Sequence, residues 1–189
     1  MLSVNDIKGL YAITPTPSKP GAERWDATDT VDLDELARLT EALVQSGVDG
    51  LVAMGTTGEC ATLTQDEWEQ AAACVIETVR RRVPLFVGTT ALGTHEIVRR
   101  NRFILDLGAD GTMLGLPMWQ PCTLDMAVQF YADMSAAFPQ LAIMAYDNPG
   151  AFRFPFPPPF WAQVARRAPT LICSKHGPDP MISALIGMT

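Results

Sequence analysis

Several absences narrow the chain before any motif is read. Its 189 residues include only 2 histidines and 4 cysteines. Cys60, Cys74, Cys122 and Cys173 form no C-x-x-C pair and stand in no metal-ligand spacing with His95 or His176. Cations are in deficit, with 14 lysines and arginines against 21 aspartates and glutamates, a formal net charge of -7. That balance leaves no electrostatic footprint for nucleic acid or for an acidic membrane surface. No apolar run approaches the roughly 18 residues a membrane span needs, and residues 1–17 carry no basic segment followed by an apolar one. A cytoplasmic protein with reduced thiols is expected. No G-x-G-x-x-G follows the first β-rich run, and no Gly-Lys-Ser/Thr follows Gly58. The sequence signatures of dinucleotide and P-loop sites are therefore missing, and no cofactor or metal is expected.

What is present is ordinary globular composition, 48% hydrophobic and 19% charged. Short apolar runs alternate with amphipathic stretches. Strands are expected at residues 7–13, 50–54, 84–87, 111–114, 141–145 and 170–173; their poor alternation suits strands buried on both faces. Helices are expected between them. Residues 33–45 end before Gly47, a C-cap residue. Residues 64–82 open on Thr64 with Glu67 at the capping-box position and close on three arginines that suit the helix dipole. Residues 94–107 stop before Gly108, residues 123–138 are N-capped by Thr123, and a short helix covers about 159–167. A further helix is able to start at Pro180. This pattern means a parallel sheet, closed either as an open doubly wound sheet or as a (βα)8 TIM barrel. A barrel typically needs about 250 residues, so as a barrel the chain stops about two βα units short.

Polar residues gather just after the strands, where both closures site ligands. Gly55-Thr56-Thr57-Gly58-Glu59 offers hydroxyls and turn amides able to hold a carboxylate or phosphate oxygen; alone it fits a tight βα turn equally well. Glu59 reads as a cap or supporting partner. Tyr146, at the end of the fifth run, could pass a proton, with Asp147 and Asn148 forming the turn. Lys175 follows Leu171-Ile172-Cys173-Ser174. A desolvated lysine becomes a nucleophilic amine, whereas one reaching solvent is unremarkable. Trp119, on the loop after the fourth run, could line an aromatic pocket or pack against another subunit.

In order, Ala12-Ile13-Thr14-Pro15, Gly55-Thr56-Thr57-Gly58-Glu59, Tyr146 and Lys175 resemble the dihydrodipicolinate synthase / N-acetylneuraminate lyase superfamily, over about residues 7–180. The resemblance implies an α/β fold, a TIM barrel truncated after about six βα units, as one incomplete domain over residues 1–189. It implies a small keto-acid substrate and a homo-oligomer, trimeric or tetrameric if full-length. It implies Lys175 as the imine-forming nucleophile and Tyr146 as the proton relay. Thr56 and Thr57 would bind the pyruvate carboxylate, and Thr57 would also hydrogen-bond the tyrosine. Glu59 to Thr64, Pro117-Met118-Trp119, and Phe152-Arg153-Phe154 through Trp161 are closer to the trans-o-hydroxybenzylidenepyruvate hydratase-aldolases, lyases of aromatic-compound degradation, where Trp119 would sit beside the aryl group. Two departures stand out. Gly150-Ala151-Phe152 replaces a serine-arginine pair of the synthases, and His176 replaces a glutamate after the lysine. Two other outcomes stay open: another class I pyruvate aldolase or dehydratase, and an inactive fragment or binding protein.

Overall fold

The computed structural model describes residues 1–177. Its strands are β1 (Tyr11–Ile13), β2 (Gly50–Ala53), β3 (Leu85–Gly88), β4 (Gly111–Leu114), β5 (Ala142–Asp147) and β6 (Leu171–His176). Its helices are α1 (Leu33–Gln45), α2 (Gln65–Val79), α3 (Thr94–Asp106), α4 (Leu124–Ala137), α5 (Pro149–Phe152) and α6 (Pro158–Arg167). The sheet order is β1-β2-β3-β4-β5-β6 and every pairing is parallel. A doubly wound sheet reverses its strand order at a switch point. This one never does, so the barrel arrangement holds, as a curled sheet left open between β1 and β6 among the described residues. The helix expected from Pro180 lies outside the described residues.

The inner layer fits by pairing large side chains with glycine. Tyr11 registers against Gly50, where a Cβ would lie 2.2 Å from the Tyr11 ring. Phe86 registers against Gly111, where a Cβ would lie 2.5 Å from the Phe86 ring. Helices cover the outer face, and their own Trp68, Ile97, Ile104 and Tyr131 are fully buried.

Local signals set most boundaries. Thr64 Oγ1 accepts from Glu67 N, and Glu67 Oε2 accepts from Thr64 N at 3.0 Å, so the capping box forms. Asp32 and Thr123 cap α1 and α4. The arginines expected in the last turn of α2 fall beyond it. Arg80 and Arg81 take left-handed backbone (φ 49° and 57°) so that the chain can turn into β3. Two of them still serve the helix end, since Arg80 Nε and Arg82 Nε each donate at 3.1 Å, to the Glu77 and Val79 carbonyls. Strand β1 is shorter than expected because Gly9 turns the chain at φ 67°. The four cysteines are free.

Between β1 and α1 the chain makes a long excursion, closed by an antiparallel bridge between Ser18 and Val31. Glu67 straps it down. One carboxylate oxygen accepts from Thr30 N and Oγ1, both at 2.7 Å, and the other holds Thr64.

Candidate active site

Tyr146 and Lys175 are register partners on β5 and β6. Neighbouring parallel strands point paired residues to the same face, and Lys175 Nζ sits 4.2 Å from the centroid of the Tyr146 ring. The pairing depends on an irregularity between Ile143 and Met144, where Ile143 meets Leu171 but Met144 meets Cys173. Both residues lie inside their strands rather than after them, because the backbone ladder continues past the last apolar residue.

The turn after β2 supplies the third member. Met54 takes left-handed backbone (φ 55°), and the chain folds through Gly55 into successive turns. Gly58 is required there, since a Cβ would lie 2.8 Å from the Met54 backbone. The Thr56 hydroxyl then lies 3.2 Å from the Tyr146 hydroxyl. The sequence reading gave that bond to Thr57, and the structure corrects it: the twist at Met54 turns Thr56 toward β5. Thr57 stays exposed on the same turn, with its hydroxyl unpaired among the described residues. Strands β2 and β5 are separated by three strand spacings, about 14 Å in a flat sheet. Contact between their loops therefore requires the sheet to curl.

Two features of the β5–α5 junction were not foreseen. Asn148 caps α5 through Oδ1, which accepts from Ala151 N, while its Nδ2 donates to the Tyr146 hydroxyl at 3.2 Å. Phe152, fully inside, packs edge-on against Tyr146 at 5.3 Å and 74°. Burial works against ionising Tyr146, but hydrogen bonds from Thr56 and Asn148 and the charge of Lys175 outweigh it, leaving the phenol below its ordinary pKa. Cys173, two residues before the lysine, has its thiol pushed up to about 12 by burial.

The remaining expected residues lie apart. Trp119 is 68% exposed and lines an apolar cleft of about 380 Å³ with Leu92, Leu116, Cys122, Met126 and Phe130. Neither Lys175, Tyr146 nor Thr56 borders that cleft. His176 Nδ1 lies 2.8 Å from the Gly177 carbonyl. Glu59 is exposed and accepts a hydrogen bond from the Thr62 hydroxyl. A larger cleft, about 810 Å³, opens on the outer surface between α1 and α2 and includes none of these residues. Among the described residues no helix is long and apolar enough to cross a membrane.

One buried cation also escaped the sequence reading. Arg100 on α3 is 6% exposed; its Nη1 donates to the carbonyls of Cys60 (3.3 Å) and Thr90 (3.1 Å), and its Nε to Gln65 Oε1 (3.1 Å). Its guanidinium lies 4.6 Å from the Trp68 ring centroid. The available signal was its place in the stripe Ile97, Arg100, Asn101, Ile104, the buried face of α3.

A sequentially ordered parallel sheet with a lysine and a tyrosine paired near its carboxyl ends, beside a threonine turn, places the chain among proteins of the βα-barrel fold. The chain belongs to the dihydrodipicolinate synthetase family, whose model matches residues 22–164. It is 51% identical over 175 residues to the trans-O-hydroxybenzylidenepyruvate hydratase-aldolase of Pseudomonas putida, covering 93% of this chain and 53% of that protein. It is 31% identical over 169 residues to a 4-hydroxy-tetrahydrodipicolinate synthase of Thermus thermophilus, covering 89% of this chain and 54% of that protein. Its fold superimposes on the structure described as PhdJ bound to substrate intermediate with a TM-score of 0.88 and 42% identity, covering 93% and 54% of the two chains. The chain spans about half the length of the curated relatives it matches.

Proposed function

We propose that these residues belong to a class I hydratase-aldolase that cleaves a trans-benzylidenepyruvate-type substrate to an aromatic aldehyde and pyruvate. The observation that carries the reading is the Lys175 amine over the Tyr146 ring, with the phenol bonded to Thr56. In the reaction, the Lys175 amine in its unprotonated form adds to the keto carbon, and as one proton is taken up through Tyr146 water leaves, giving a protonated imine. Water adds across the conjugated carbon–carbon bond. The new hydroxyl then loses its proton as the bond between its carbon and the carbon beside the imine breaks; the aldehyde departs and the electron pair enters the imine as an enamine. Reprotonation of the enamine and hydrolysis release pyruvate and the amine.

Tyr146, with its pKa lowered, is the group suited to move protons between these stages. The exposed Thr57 hydroxyl, the Thr56 hydroxyl and the turn amides are the carboxylate site. Trp119 as an aryl contact belongs to this proposal, although its cleft is separate here. Phe152 against the tyrosine, in the Gly150-Ala151-Phe152 stretch that stands in place of the synthases' serine-arginine pair, favours an aryl over a carboxylate-bearing second substrate. Exposed Leu92, Trp119 and Met126 support contact with another subunit; a trimeric or tetrameric homo-oligomer in the cytoplasm is the form proposed.

Incubation with pyruvate and borohydride, followed by peptide mass analysis, tests the reading. One reduced pyruvate adduct on Lys175 is expected, with none in Lys175→Ala. A folded wild-type sample with no adduct overturns it. Turnover of benzylidenepyruvate against that of a sugar acid separates this reading from an aliphatic aldolase.

A further inference from the structure

A buried guanidinium held largely by neutral acceptors is an expensive way to fix a fold. Arg100 spends two of its nitrogens on neutral partners, one of them on backbone carbonyls beyond two barrel strands. Its closest carboxylate, Glu96 Oε1, is 3.8 Å away. The Cys60 carbonyl it holds ends the turn that carries the threonines, and that turn is closed by Cys60 N donating to the Gly55 carbonyl and Glu59 N to the Thr56 carbonyl, both at 3.2 Å. The Thr90 carbonyl follows β3. On the opposite side Thr16 Oγ1 donates to the Gly58 carbonyl at 2.8 Å. The turn is thus clamped from the β1 side by one hydroxyl and from α3 by one guanidinium.

The geometry points to Arg100 as a positioning residue for the keto-acid site: it fixes the turn so that Thr56 meets the phenol of Tyr146 and Thr57 faces the substrate carboxylate. The contacts need a planar fork. Nη1 reaches two carbonyls while Nε reaches Gln65, and the flat face rests on Trp68. A lysine has one nitrogen and no plane, so it cannot satisfy both directions. Arg100 touches no reacting atom. It acts through the turn.

The inference rests on the pyruvate site proposed above, so its first readout needs no pyruvate. The chain has 3 tyrosines. Tyr11 and Tyr131 both have raised pKa values, chiefly through burial, and Tyr146 has a lowered one, so the first phenolate absorbance step on raising pH is that of Tyr146. Arg100→Met keeps an apolar stem over Trp68 and removes the fork. Its first phenolate step is expected to move upward by about one pH unit, the loss of one hydrogen bond to the charged form. Half-saturating pyruvate in borohydride trapping is expected to rise about tenfold while the limiting trapping rate changes little. Arg100→Lys, the variant to read if Arg100→Met does not fold, should show both shifts with native circular dichroism. Arg99→Met, which loses only a surface pair with Glu69 (2.8 Å), should show neither. If folded Arg100→Met or Arg100→Lys keeps the wild-type phenolate step, the role is structural only and the inference falls. If wild type shows the phenolate step but never traps pyruvate, the pyruvate reading falls and Arg100 is still judged by the first readout.

Discussion

Replacing Glu67 by glutamine should loosen the strap over the excursion between β1 and α1, and the loss should fade in acid. The carboxylate accepts four hydrogen bonds, from Thr30 N and Oγ1 and from Thr64 N and Oγ1. The Thr30 donors, with those of Thr64, hold its pKa at about 2, against an ordinary 4.5. A tenfold change in a proton equilibrium is worth about 1.4 kcal/mol, so this depression sets a ceiling of about 3 kcal/mol, and a glutamine that keeps part of the hydrogen bonding brings the expected loss to about 2 kcal/mol. A glutamine also turns an amide donor toward Thr30 or Thr64, where donors already converge. For a chain of this size, about 2 kcal/mol lowers Tm by about 4–8 °C. A folded pKa below the unfolded one contributes stability that is complete above pH 4.5 and lost as pH falls toward 2. The Tm gap between wild type and Glu67→Gln should therefore be full at pH 7 and shrink between pH 4.5 and the acid limit of folding. Trypsin offers a local check: the bond after Arg24, inside the strapped excursion, should be cut faster in the variant. Equal Tm values at pH 7, or a gap that stays constant down to pH 3, refutes the reasoning.

Thr56→Val should raise the first phenolate step, because it removes a hydrogen bond to the Tyr146 hydroxyl while burial continues to oppose ionisation; an unchanged absorbance titration sinks the assignment. Gly88→Ala should cost about 3 kcal/mol in urea unfolding, since its Cβ would lie 2.0 Å from the Met54 carbonyl oxygen and neither strand can yield. A variant as stable as wild type would show that β2 and β3 do not approach this closely. Gly115→Ala puts a Cβ 2.4 Å from the Phe152 ring; Phe152 must move off Tyr146, at a cost of about 1–2 kcal/mol in urea unfolding. Near-ultraviolet circular dichroism should change in the tyrosine region, and an unaltered spectrum contradicts the contact.

Among the described residues, the alternation of apolar runs with capped helices was enough to place each strand and the five longer helices to within a few residues, because periodicity and capping are local properties. The errors fall where a non-local pairing decides. Strands β5 and β6 run on through Tyr146-Asp147 and Ser174-Lys175-His176, polar residues that look like loop until their ladder partners are known. The apolar runs serve a doubly wound sheet as well as a barrel, and only the pairing order separates the two. In the site, residue types after strands pointed to Lys175, Tyr146 and the threonine turn. Which threonine faces the phenol depends on one left-handed residue, Met54, and adjacent identical side chains carry no signal for that. Arg100 was hidden by its charge: an arginine in a surface-looking run, Arg99-Arg100-Asn101-Arg102, gives no cue unless its place on the buried stripe is checked.

Tyr146 receives four contacts from three separate parts of the fold, and these depend on different orders of structure. Asn148 is two residues away, and its amide is aimed by capping α5. Phe152 is fixed by the same short helix and by the missing side chain of Gly115. Lys175 arrives through the β5–β6 ladder and its irregularity. Thr56 arrives only because six strands curl far enough to bring β2 opposite β5. The proton-relay role proposed for Tyr146 calls for a group both poised in pKa and fixed in place. Here the local contacts fix the ring, while the contact across the barrel mouth helps set its acidity. Loosening the curl would leave the ring seated beside the lysine and raise its pKa, so acidity of this one phenol reports whether the barrel mouth is assembled, even where backbone spectra show intact helices and strands.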